Sequence, residues 1–149
     1  MKIDEQVEVQ VRSVLDAVVH RNAPRLEETV REMSGRGILQ QGTELAVAIS
    51  GFVLFEIHDG LPSRDQINEL AGDIAEQEAW MSPSVEDVRA YLTALAEKTP
   101  LSETLPHEAI VVLPYLVAAN LLATASKPED GEWWFKYLDK VEAAIEAAG

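Results

Sequence analysis

The sequence predicts an all-α protein, a compact bundle of six or seven helices forming one helical domain over residues 1–149. Three observations carry this. Apolar residues recur at helical spacing along most of the chain, and the breaks between segments have the chemistry of helix caps and stops. Two stretches, near 43–58 and 106–125, are apolar around their whole circumference, as expected of central helices wrapped by amphipathic ones.

The first helix is predicted over residues 4–20, where Val7, Val11, Val14 and Val18 form one stripe. "VEVQV" also alternates strictly, so a short strand over residues 7–11 competes with it. Pro24 suits the first turn of a second helix whose Leu26, Val30 and Met33 share a face, ended by "SGRG". A third helix starts near Ile38 or Thr43. It stops at "GLPS", where Gly60 offers a left-handed cap and Ser63 with Gln66 opens the next helix as a capping box. In that fourth helix Ile67, Leu70 and Ile74 face inward. In the fifth, opened by Ser84 with Asp87, Val85, Val88, Leu92 and Leu95 do. "PSRDQI" and "PSVEDV" resemble each other as two helix starts, not as a solenoid repeat. "EKTPLSETLP" is the longest expected loop. Pro106 opens a helix to about Ala125, "SKPEDG" breaks it, and a last helix runs from about Glu132 to Ala147, with Trp134, Leu138, Val141 and Ile145 facing the core.

From Leu45 to Phe55 large apolar side chains occupy every sector of the wheel except at Ser50 and Gly51, so this helix is expected to be surrounded. Its uncharged run spans only about 17 Å, short of the ~30 Å hydrocarbon core, so protein is the expected surround. "AIVVLPYLVAANLLATAS", residues 109–126, reaches the length of a membrane span. Pro114 and Asn120 interrupt it, and basic or aromatic anchors are lacking, so no membrane is expected. Pro114 frees a carbonyl and Asn120 is a polar group among leucines, which predicts an internal hydrogen bond or a buried water near the kink.

Net charge is −14, and residues 44–149 hold six Lys/Arg against nineteen Asp/Glu. Such a field repels phosphate backbones, so no nucleic-acid partner is expected, and a basic protein is the favoured kind of partner. With no cysteine there is no disulfide, thiolate metal site or cysteine nucleophile. The first residues lack the apolar run of a signal peptide, and the cytoplasm is the expected compartment.

The chemistry-bearing motifs fall short of a catalytic site. "HEAIV" at His107 is half of a zinc-binding H-E-x-x-H, with Val111 where the second histidine would stand, and Glu-x-x-His is absent. Asp16 and His20 share a face as an ion pair, two ligands short of a metal site. Glu56 and His58 lie about 160° apart on one helix, which prevents an acid–base pair. His58 is expected at a helix C-terminus and Glu56 at the rim of the core. No phosphate loop or nucleophile elbow is present, and neither metal nor cofactor is expected.

Asp65, Glu69, Asp73 and Glu76 fall within an arc of about 80°, opposite the apolar face of the fourth helix. They are the expected partner-binding surface of a non-catalytic acidic interaction or regulatory module. An alternative is a hydrophobic-ligand carrier or small enzyme with a pocket at the kinked helix 106–125, using Glu56, Tyr115 and Asn120 as polar groups. A further alternative is a structural homodimer, and Trp133 and Tyr137 of "GEWWFKYL" are the expected anchors of a homodimer or partner interface.

Overall fold

The computed structural model describes residues Met1–Gly149. Seven α-helices and no strands form the fold: α1 (Glu5–Val19), α2 (Ala23–Gly35), α3 (Leu39–Ile57), α4 (Arg64–Gln77), α5 (Val85–Glu97), α6 (His107–Ala125) and α7 (Trp134–Ala147). Local chemistry sets several of the boundaries. The Asp4 carboxylate accepts from the amides of Gln6 and Val7, and Asn22 accepts from Arg25 ahead of Pro24 in the first turn of α2. Ser63 and Gln66 complete a reciprocal capping box at α4, and Ser84 accepts from the Asp87 amide at α5. Each such cap satisfies amides that have no partner inside the helix.

The alternation in "VEVQV" does not produce a strand. Val7 and Val11 are buried on the inner face of α1, while Val9 is 62% exposed, so the helical stripe prevails over the two-residue period.

α6 is the central helix, packed against α1, α3, α5 and α7 and buried without interruption from Leu113 to Leu122. It is also the one helix long and apolar enough to cross a membrane; here its middle, from Leu113 to Leu122, is enclosed by its neighbours, while Ala109, Ile110, Val111 and Val112, expected to be wrapped, are only half-buried. One core cluster of 33 buried residues draws on all seven helices. In α5 the inward positions are taken by Val88, Tyr91, Leu92 and Ala94, whereas Val85, expected inside, is 39% exposed in the first turn.

The expectation that α3 is surrounded needs correction. Leu45, Ala46, Ile49, Ser50, Val53 and Leu54 are buried, but Val47, Ala48, Gly51, Phe52 and Phe55 are only half-buried. With α6 occupying the centre, the remaining helices leave one flank of α3 open. Ser50, expected as a gap in the apolar surface, is fully buried and donates to the carbonyls of Ala46 at 2.9 Å and Pro114 at 3.3 Å.

Candidate functional site

The open flank of α3 borders a groove shared with α7. At one end Ala48, Gly51, Phe52 and Phe55 of α3 face Ile145 of α7 across a cleft of about 580 Å³. Phe52 and Glu56 also line a second cleft of about 710 Å³, which continues to Tyr137, Glu132, Lys140 and Lys127. The groove is thus apolar at one end and charged at the other. At the C-terminus of α3 the His58 ring bonds through Nδ1 with the Leu54 carbonyl oxygen at 2.8 Å, and Asp59 and Gly60 take positive φ values of 53° and 128°. That left-handed turn leads the chain away and leaves the Glu56 carboxylate exposed at the rim.

Electrostatics at the charged end fix the protonation states there. Burial, together with the neighbouring Glu56 carboxylate, pushes the Tyr137 hydroxyl up to about 12, so it remains a neutral donor. Lys140 Nζ meets Glu132 Oε2 at 2.5 Å and holds that carboxyl below its ordinary value, so Glu132 remains ionised. Neither group changes charge near neutral pH. What the groove offers is apolar surface, a phenol and fixed charges, a set suited to binding.

The only carboxyl pushed towards the neutral range lies outside the groove. Glu142 is raised to about 8 by burial and by the Glu8 charge, against the opposing pull of Arg12. Arg12 bonds Glu8 and Asp139, each at 2.7 Å, and Glu142 at 3.1 Å, a structural clamp between α1 and α7.

The residues singled out from the sequence are distributed as follows. Asp65, Glu69, Asp73 and Glu76 are all exposed on α4, and none is within 4.0 Å of a basic group. Trp133 and Tyr137 do not form one exposed patch. Trp133 precedes α7 and is 52% exposed, whereas Tyr137 is 7% exposed and belongs to the chain's own core. Glu56, Tyr115 and Asn120 do not converge on a pocket at the kink. The Tyr115 hydroxyl lies against Gly42, fourteen residues before Glu56 and about 21 Å away along α3. Asn120 Nδ2 donates to Gln77 Oε1 at 2.9 Å and Glu78 Oε2 at 2.8 Å, the internal bond its setting among leucines requires.

Asp16 pairs with His20 at 3.3 Å and Arg25 at 2.6 Å, and no cluster of three or more His, Asp or Glu side chains has the arrangement of a metal site. The proximity of Glu56 to Tyr137 had no signal in the sequence, since they lie on different helices. The open flank had a weak one: the small residues Ala48 and Gly51 at helical spacing with Phe52 and Phe55.

No protein-family model, curated protein or solved structure matches this chain.

Proposed function

We propose that the protein is a non-catalytic binding module whose α3–α7 groove receives an amphipathic basic helix of a partner protein. The observation that carries this is the half-buried apolar flank that α3 presents beside α7, in a chain of net charge −14. On α3 itself the flank is bounded by acids, while the groove's bases, Lys127 and Lys140, lie at its far end with Glu132, which pairs with Lys140. Glu44 lies one turn before Ala48, and Glu56 and Asp59 follow Phe55; all three are exposed and outside any ion pair. A helix with an apolar strip between Lys or Arg residues complements that pattern. A second copy, carrying the same charges, does not. The unpaired carboxylates of α4 add to the field that steers such a partner towards the molecule.

The test uses fluorescence anisotropy with two labelled helical peptides of identical apolar face, one flanked by lysines and one by glutamates. The lysine peptide should bind, more weakly as salt rises, and the glutamate peptide should not. Gly51→Arg should abolish binding while preserving the fold, because nothing lies within 4 Å of a side chain's first carbon at Gly51. Equal binding of both peptides, binding unaffected by Gly51→Arg, or a dimer in light scattering that Gly51→Arg dissolves would overturn the proposal.

A further inference from the structure

Arg64 and Arg89 are the only arginines beyond residue 36, in the part of the chain where acids outnumber bases by nineteen to six. Both line one cleft of about 350 Å³ between α4 and α5. Neither guanidinium has a carboxylate within 4.0 Å or a hydrogen-bond acceptor, despite the surplus of acids around them. One turn on from each, on the same helix faces, Asn68 and Thr93 line the cleft with polar side chains that no protein group engages. The cleft is therefore lined by four donor-bearing side chains and a single acid, Glu97, which pairs with neither arginine.

We propose that this cleft binds a small zwitterion of the α-amino-acid type with an apolar side chain. Guanidinium groups match a carboxylate through paired hydrogen bonds, which assigns the ligand's carboxylate to Arg64 and Arg89, supported by Asn68 and Thr93. Glu97 is the complement of the ligand's ammonium group. Leu61, Ile67 and Ala96 supply an apolar wall for its side chain, and Leu61, at 68% exposure, has most of its surface still to cover. Inorganic phosphate would meet the Glu97 charge and gain nothing from that wall. The volume lies at the lower end of the range for small-molecule sites, about 300–1,000 Å³, as an amino-acid-sized ligand requires.

The test is a titration of the whole protein followed by calorimetry and amide chemical shifts. Leucine is compared with 3-methylbutanoate, which lacks the ammonium group, leucinol, which lacks the carboxylate, and inorganic phosphate. Leucine should give saturable shifts at Asn68 and Thr93 and bind more tightly than the other three. Arg64→Ala and Arg89→Ala should each weaken leucine by about tenfold or more, while Glu97→Gln should weaken leucine but tighten 3-methylbutanoate, which loses a like-charged neighbour. Because both arginines are exposed and unpaired, the variants should keep the wild-type melting temperature in the absence of ligand. No saturable shift with leucine, tighter binding of phosphate, or unchanged affinity in both arginine variants would overturn the proposal.

Discussion

The Arg12 guanidinium of α1 reaches the Glu142 carboxylate of α7 at 3.1 Å, while Oε2 of that carboxylate is buried without a hydrogen-bond partner. Arg12 also holds Glu8 and Asp139. Burial would lower its own pKa, but the bonds to Glu8 and Asp139 outweigh this and raise it, so the arginine stays charged throughout. With three carboxyl groups on one cation, the most buried of them keeps its proton.

This arrangement sets a pH dependence of stability. The Glu142 carboxyl is raised in the folded protein from 4.5 to about 8, so between those values the folded state binds more protons than the unfolded one. The stability it contributes is fully present below about 4.5 and is lost as pH rises through about 8. Glu142→Gln fixes the neutral form. Its melting temperature should match the wild type near pH 5 and exceed it at pH 9, the difference opening as pH rises towards about 8. A difference that does not vary with pH would contradict this assignment.

Removing the cation should act in the same window. Arg12→Ala leaves Glu8, Asp139 and Glu142 close together without a counter-charge. It should cost roughly 1–2 kcal/mol by denaturant titration at neutral pH, with the side chain's 31% exposure keeping the figure modest. The loss should grow at pH 9, where Glu142 ionises, and shrink at pH 5.

A second buried network joins α6 to the end of α4. Glu78 is 8% exposed and accepts from Asn120 Nδ2 on Oε2 and from Trp80 Nε1 on Oε1, each at 2.8 Å. Asn120→Leu removes the only donor to Oε2 and should cost about 2–4 kcal/mol, because a buried carboxylate is left half-satisfied. Adding Glu78→Gln, which removes the buried charge, should recover part of the loss. The coupling between the two substitutions, read from a double-mutant cycle of urea midpoints, should exceed 0.5 kcal/mol as an order of magnitude.

These cases mark what the sequence could disclose. Stripe periods and cap chemistry are local, so the helix order and the Ser63–Gln66 box were legible. Burial of Asn120 among leucines required a partner, but identifying it as Gln77 and Glu78 depends on how α4 ends beside α6, which no local pattern encodes. The open flank of α3 is a fact about which neighbours are missing. A wheel shows that a helix is apolar all round, not that the chain supplies enough helices to cover it. Tyr137 was misplaced for the same reason: a residue on the edge of a stripe is core or surface according to its neighbour, here α3 with Glu56.

Two glycines of α3 should respond in opposite directions to the same substitution. A methyl group at Gly42 would stand 2.7 Å from the Tyr115 hydroxyl and clash with the end of Met33. Met33 can bend aside, but Tyr115 is a rigid, buried ring, so Gly42→Ala should cost about 1–3 kcal/mol. The hydroxyl concerned has no hydrogen-bond partner, and burial pushes its pKa up to about 12. Tyr115→Phe should therefore be neutral or stabilising and should relieve much of the Gly42→Ala penalty. At Gly51 the same methyl meets nothing within 4 Å. Only the helix preference remains, and Gly51→Ala should stabilise the protein by about 0.5–1 kcal/mol. Thermal melts of the two single variants would decide the matter. If Gly51→Ala destabilised the chain as Gly42→Ala does, that flank of α3 would have to be covered in the free protein, and the groove would not be open to a partner.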